Sequence, residues 1–187
     1  MGSHAKLRDH LSAAIVDAAA ETWSARGESA NMGEVADVAG VSRATLYRYF
    51  PSRDHLMEAL AQAALEDAEL RLGQAELDLV AVPEALARMT RALVACSAKY
   101  SILIDDRSHI DHGEVERRLA APARAVFQRG VKDGTLRADL NADMLFDFYR
   151  GLLQAAVRMT AGASPGIEQV SKTVVALLLD GARSPTR

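Results

Sequence analysis

The chain has 187 residues, of which 49% are hydrophobic and 25% charged, and it carries a formal net charge of −3. This composition is typical of a soluble globular protein, and the negative balance excludes a protein that coats nucleic acid nonspecifically, because such proteins are strongly basic overall. No apolar run approaches the ~20 residues that span a bilayer, and no secretory signal is recognisable, so we expect a cytoplasmic protein without a membrane partner.

Helical spacing of apolar residues extends over nearly the whole chain, and strand-like alternation is missing. This pattern predicts an all-α protein of about nine helices. The first helix is predicted at 6–25, with Gly27 as its end. Asn31 followed by Glu34 has the spacing of a capping box and predicts a short second helix as far as residue 39.

A tight turn is predicted between the second and third helices. Gly40 permits the positive φ that such a turn needs, Ser42 is a suitable N-cap for the third helix, and Pro51 ends that helix. Two short helices around a tight turn form a helix-turn-helix, whose second helix lies in the major groove of DNA.

Longer amphipathic helices are predicted in the rest of the chain. Ser52 caps a helix that reaches residue 72, and Pro83 stands at the start of the next one. Either Asn141 or Asp143 begins a strongly amphipathic helix. The remaining predicted helices are 100–104, 114–131 and a final one that carries residues 167–178, with a turn at 162–166. Cys96 is the only cysteine, which excludes an internal disulfide and fits a reducing compartment.

The third helix has side chains suited to DNA, with Leu46 and Phe50 directed inward. Arginine near the start of a recognition helix can pair bidentately with guanine, and tyrosine and threonine hydroxyls suit phosphate oxygens. Segment 42–53 holds three arginines and no acidic residue, although packing tyrosines and solvated surface arginines would give the same pattern. The predicted DNA-binding residues are Ser42, Arg43, Thr45, Tyr47, Arg48, Tyr49 and Arg53.

Taken together, these motifs resemble the TetR family of transcriptional regulators. The resemblance rests on Trp23 and Gly27, on the strings VADVAGVS and LYRYF, and on Ser52-Arg53-Asp54-His55-Leu56, and it covers about residues 7–60. Four positions depart from the family pattern: Trp23 stands where phenylalanine is usual, Asn31-Met32 replaces a threonine pair, and Tyr49 stands where histidine is frequent.

The resemblance implies two domains and a function. A three-helix helix-turn-helix domain at 5–51 would bind DNA, and an effector-binding and dimerisation domain would occupy 52–187. The expected activity is that of a ligand-responsive repressor, a homodimer that binds palindromic double-stranded operator DNA and is released by a small-molecule effector. No catalysis and no cofactor are expected.

The last two helices each have a wide apolar face, and the resemblance implies that they pack against their counterparts in a dimer. An effector pocket in this family lies among the helices that follow the DNA-binding domain, and such pockets are mostly apolar. The residues with suitable chemistry also fit an ordinary core. The predicted effector-binding residues are Leu86, Met89, Leu93, Cys96, Tyr100, Phe127, Phe148, Tyr149 and Leu152.

The acidic and histidine-containing segment 105–114 leaves a different function open. Asp105, His109 and His112, with Asp106 and Asp111 nearby, could supply ligands for a divalent metal and so support a metal-dependent enzyme. A solvated loop leading into a helix explains the same residues, and we expect no metal site. A third possibility is a helical adaptor whose helix-turn-helix does not bind DNA.

Overall fold

The computed structural model describes residues 2–105, 108–160 and 166–182, without the side chains of residues 2–5, 28, 104 and 105. These residues form helices and no β-strand, which confirms the all-α class. The helices are α1 (Gly2–Arg26), α2 (Met32–Val38), α3 (Arg43–Tyr49), α4 (Arg53–Gln74), α5 (Val82–Lys99), α6 (Ile102–Asp105), α7 (His112–Val115), α8 (Ala121–Lys132), α9 (Ala142–Thr160) and α10 (Ile167–Ala182). Short 3₁₀ turns occupy Gly27–Ser29 and Leu77–Leu79, and a π-helical turn, Glu116–Ala120, joins α7 to α8.

Side-chain caps determine where several helices begin. The Asn31 side chain accepts hydrogen bonds from the backbone of Gly33 and Glu34, and the Glu34 carboxylate accepts one from the Asn31 N–H, so the predicted capping box is present. Of the two candidates for the start of α9, Asn141 is the cap, because its Oδ1 accepts from the Asp143 N–H at 2.7 Å. The predicted turn at 162–166 falls largely on residues 161–165, which lie outside the described residues.

The helix predicted from residue 114 begins two residues earlier, at His112. The reason is the Asp111 side chain, whose Oδ1 accepts from the Glu114 N–H at 3.0 Å and so caps α7. An aspartate N-cap satisfies one of the free N–H groups of the first helical turn. Asp111, a candidate metal neighbour in the sequence, therefore has a structural role in this position.

The contacts divide the chain into two compact units, Met1–Ala64 with Lys99–Ile110 and Leu65–Ala98 with Asp111–Arg187. α4 contributes residues to both. The domain boundary predicted after residue 51 separates the residues expected to bind DNA from the rest of the chain. It is a different division from one based on contacts within compact units, and it stays a prediction.

In the first unit, the core joins α1, α2, α3 and the first half of α4. Trp23 is 1% exposed and its indole N–H donates to the Ala30 carbonyl at 3.2 Å, as expected for a core residue whose one polar atom needs a partner. The core residues with the least exposure are Ile15, Ala19, Ala20, Trp23, Ala30, Val35, Ala36, Leu46, Leu56 and Leu60.

The second unit has an aromatic cluster in its core. The ring of Phe127 lies 5.8 Å from that of Phe146 and 5.4 Å from that of Tyr149, between centroids. α8 and α9 pack together there, and α10 packs against α9. Arg129 donates hydrogen bonds to the carbonyls of Leu77 and Val80, which fixes the connection before α5.

In the described part of the chain, the helices lack any stretch with the length and apolarity that crossing a membrane requires.

Candidate nucleic-acid interface

The turn between α2 and α3 has the predicted geometry. Gly40 has φ of +66°, a left-handed conformation that a side chain disfavours. The Val41 N–H donates to the Ala36 carbonyl at 3.0 Å, which closes the turn. Leu46, the only buried residue of α3, is fully buried and attaches the helix to the core. The opposite side of α3 is therefore free to meet another molecule.

Ser42 and Thr45 hold the N-terminus of α3. The Ser42 hydroxyl accepts from the Thr45 N–H at 3.1 Å, and the two hydroxyl oxygens are 2.9 Å apart. Ser42 is exposed and Thr45 half-buried. Both predicted DNA-binding residues thus stabilise the first turn of the helix, and an exposed hydroxyl can accept a further hydrogen bond.

The exposed side of α3 carries cations and aromatic rings. Tyr47 is 48% exposed, and Arg43 and Arg48 are exposed as well. The Arg48 guanidinium lies 5.6 Å from the centroid of the half-buried Tyr49 ring, a distance at which cation and ring attract. Among the described residues, no carboxylate forms an ion pair with Arg43 or Arg48. Their positive charges are therefore available to an anionic partner.

The start of α4 lies directly after this helix in sequence. The Ser52 hydroxyl accepts from the His55 N–H at 3.3 Å and forms a second hydrogen bond with His55 Nδ1 at 2.8 Å. The Arg53 guanidinium lies 5.2 Å from the Trp23 ring centroid. Arg53 is thus half-buried against α1, which restricts the directions in which its charge can point.

At the start of α2, the side-chain oxygen of Asn31 accepts two hydrogen bonds in the capping box. The Asn31 N–H donates to the Glu34 carboxylate at 2.8 Å, and this hydrogen bond lowers the pKa of Glu34, assisted by an ion pair with Arg26. Glu34 therefore stays ionised and keeps α2 anchored. Asparagine supplies the helix cap at a position where the family often has threonine.

The predicted effector residues lie in different surroundings. Leu86, Met89, Phe127 and Tyr149 are fully buried in the second unit, and Cys96 is 5% exposed. Leu93 and Leu152 are half-buried against the same core. Tyr100 belongs to the first unit, and Phe148 is 66% exposed on α9.

One polar pair lies inside the apolar core of the second unit. Thr90 Oγ1 donates to the Leu86 carbonyl at 2.6 Å, so the Tyr149 hydroxyl, 3.2 Å away, donates to Thr90. Burial raises the pKa of Tyr149 well above its usual range, and the phenol is neutral. Thr90 is not among the residues predicted from the sequence. The feature that indicates it is a hydroxyl residue on the apolar face of α5, four residues after Leu86.

A surface cavity of about 530 Å³ also belongs to the second unit. It lies among the end of α4, the Leu77–Leu79 turn and residues 118–125. Leu72 and Leu77 line the cavity and belong at the same time to the core cluster that contains Phe127 and Tyr149. None of the predicted effector residues lines it.

The candidate metal ligands do not form a site in the described part of the chain. No group of three or more histidine, cysteine, aspartate or glutamate side chains there is arranged to hold an ion. Asp106 lies outside the described residues, as does the side chain of Asp105.

Comparison with known proteins finds similarity to one family. Residues 15–60 match the family described as "Bacterial regulatory proteins, tetR family". The chain is 27% identical to the HTH-type transcriptional repressor KstR2 of Rhodococcus jostii, with 91% of this chain and 90% of the relative covered. It is 29% identical to the repressor KstR of the same organism, with 91% and 84% covered.

The fold matches solved structures as well. The regulator LfrR from Mycobacterium smegmatis, in complex with proflavine, superposes with a TM-score of 0.74 at 22% identity over 94% of this chain and 97% of that one. The ketosteroid regulator KstR2 of Mycobacterium tuberculosis gives a TM-score of 0.68 at 22% identity, with 99% and 97% covered. Residues 15–60 carry the N-terminal domain of the tetR family, and over about nine-tenths of its length the chain is similar in sequence to transcriptional repressors and in fold to regulators of this kind.

Proposed function

We propose that this repressor binds palindromic operator DNA as a homodimer through α3 and is released when a small molecule binds in the second unit. The observation that carries the proposal is the exposed side of α3, where arginines and tyrosines face outward while Leu46 is fully buried. Positive charge is concentrated there although the chain as a whole is acidic. A local basic surface is sufficient to engage phosphates.

Arg43 is the residue we assign to base recognition. It is the first residue of α3, and the N-terminal residues of a recognition helix are those that reach base edges. Tyr47 and the Ser42 hydroxyl are exposed beside it and suit phosphate oxygens. Phosphate contacts fix the register of the protein on DNA, and base contacts give sequence preference.

We expect Arg43→Ala to weaken specific operator binding by about 1–3 kcal/mol, or roughly 5- to 150-fold, because one base contact is lost. Fluorescence anisotropy with DNA flanking the protein's own gene measures the effect. The control is Arg71→Ala on α4, where the arginine already pairs with Asp67 at 2.9 Å. Equal affinities for Arg43→Ala and the control would remove Arg43 from the interface.

The dimer interface is assigned to the exposed apolar side of α9 and α10. Met144, Phe148 and Met159 are each more than half exposed and recur on one side of α9, and Leu177 is 60% exposed on α10. Exposed large apolar side chains at helical spacing indicate a protein-binding surface. Two helices from each protomer would form a four-helix bundle, and a twofold axis would place two α3 helices about 34–36 Å apart on a palindromic site.

The effector is assigned to the core of the second unit, with the surface cavity as its entry. Leu72 and Leu77 line the cavity and also belong to the core cluster. The core cluster is apolar, and its polar anchor is the Thr90–Tyr149 pair. This environment favours a neutral, largely apolar molecule, because burying a charge there is costly. A ligand hydroxyl could donate to the Tyr149 oxygen, and a ligand carbonyl could accept the Tyr149 O–H in place of Thr90. The relative described as a ketosteroid regulator makes ketosteroids the first compounds to test.

Release of DNA requires that the effector prefer a conformation with a different spacing of the two α3 helices. A ligand with equal affinity for both conformations shifts nothing. Couplings of about 1–3 kcal/mol are typical and change affinity roughly 5- to 150-fold.

We expect Tyr149→Phe to weaken effector-induced release about fivefold, because one buried hydrogen bond of about 1 kcal/mol is lost. Titration of the repressor–operator complex with a panel of neutral polycyclic alcohols and ketones measures the effect. The matched control is Tyr100→Phe in the first unit, which should respond like the wild type. If the effector released Tyr149→Phe from DNA as readily as the wild type, this hydroxyl would be excluded as the anchor.

A further inference from the structure

The guanidinium of Arg43 lies against the backbone of Gly33, in the first turn of α2. A Cβ atom added to Gly33 would be 2.6 Å from Arg43 Nη2 and 2.8 Å from both Cζ and Nε. These separations are below van der Waals contact, so the arginine occupies the space that any side chain at position 33 would fill. Gly33 is itself buried.

The backbone of Gly33 cannot easily move aside. Its N–H donates to Asn31 Oδ1 at 2.9 Å, and the neighbouring Glu34 N–H donates to the same oxygen at 3.2 Å. The Asn31 N–H in turn donates to the Glu34 carboxylate. Position 33 is therefore fixed by the capping box, and a side chain placed there would displace the arginine rather than the helix.

An arginine held against a fixed surface loses less conformational freedom when it binds DNA. Ordering a long, flexible side chain at an interface reduces affinity. In the free protein Arg43 already lies on Gly33, and among the described residues no acidic group holds it by an ion pair. The contact with the Gly33 backbone is what restricts the Arg43 side chain.

We propose that Gly33 is a positioning residue for operator recognition: its lack of a side chain allows the Arg43 guanidinium to lie on α2 and orients it before DNA arrives. The inference rests on the proposed DNA-binding role of α3. It makes positions 33 and 43 an interacting pair, although only Arg43 contacts DNA.

A double-mutant cycle tests the pair. We expect Gly33→Ala to weaken specific operator binding about 3- to 10-fold while the unfolding midpoint stays unchanged or rises, since alanine is the better helix former. In the Arg43→Ala background, Gly33→Ala should change operator affinity less than twofold. The matched control is Gly73→Ala on α4, where an added Cβ would meet no atom within 4 Å, and wild-type affinity is expected.

A purely structural role of Gly33 would reduce affinity equally in both backgrounds, and that result would overturn the inference. Wild-type affinity of Gly33→Ala, with Arg43→Ala still weakened, would overturn it while leaving the proposed function intact. Failure of the wild type to bind its flanking DNA would instead overturn the proposed function and the inference with it.

A measurement on the free wild-type protein tests the inference even if a variant fails to fold. The Nε–Hε signal of Arg43 in ¹⁵N NMR should show an order parameter close to that of the backbone, and Gly33→Ala should lower it. A highly mobile Arg43 side chain in the free wild type would overturn the inference.

Discussion

Replacing Leu46 with alanine is expected to lower the free energy of unfolding by about 2–5 kcal/mol, the usual cost of truncating a fully buried leucine. Leu46 is 0% exposed, and it is the only buried residue within α3. A helix of seven residues is unstable alone and depends on packing of its apolar side. Loss of Leu46 therefore detaches the helix that carries the DNA-binding side chains.

Operator binding should fall with stability in this variant, although Leu46 itself does not face DNA. Denaturant titration followed by circular dichroism measures stability, and anisotropy measures binding at a temperature where the variant is folded. Leu7→Ala is the control in the same unit, because Leu7 is 67% exposed and its truncation should change stability by less than about 0.5 kcal/mol. If Leu46→Ala were as stable as Leu7→Ala, α3 would be held by other contacts.

The local features of the first unit could be read from the sequence because their causes lie within a few residues. The Asn31 capping box and the Ser42 cap each join a side chain to a backbone group at most three residues away, and the positive φ of Gly40 depends on the absence of a side chain at that residue. Backbone preferences and short-range hydrogen bonds determine such features. The family motif lies in the same segment, which is why the fold and the repressor function were both predicted.

Features that depend on distant residues could not be predicted in this way. Thr90 and Tyr149 are 59 positions apart, and the sequence alone does not show that their hydroxyls meet. Gly33 and Arg43 are on different helices. Only the three-dimensional structure shows that the Arg43 guanidinium lies in the space that a side chain at position 33 would occupy. The role proposed for Gly33 therefore rests on the structure and not on the sequence.

Helix α9 shows a third limit. Periodicity identifies an apolar side when the opposite side is polar, but α9 has large apolar residues on both sides. Tyr149 is fully buried and its neighbour Phe148 is 66% exposed, although both were grouped as effector-binding candidates. We now place Phe148 in the proposed dimer interface, because its side chain is directed away from the core.

We expect Phe148→Glu to convert the proposed dimer into a monomer. Truncation of a central aromatic residue at an interface typically costs about 2 kcal/mol or more, and a twofold interface contains the residue twice. A loss of about 4 kcal/mol raises the dimer dissociation constant roughly 1000-fold. The glutamate adds a further penalty, since its charge would be buried without a partner.

Sedimentation equilibrium over a range of concentrations measures the dissociation constant. The variant should fold normally because Phe148 is exposed in the single protomer, and its operator affinity should fall because only one half-site is then bound. Leu70→Glu is the matched control, with a 59% exposed leucine on α4, and it should remain dimeric. A dimeric Phe148→Glu protein would place the interface elsewhere than on α9. A monomer that still bound the full palindrome with wild-type affinity would show instead that dimerisation does not contribute to operator recognition.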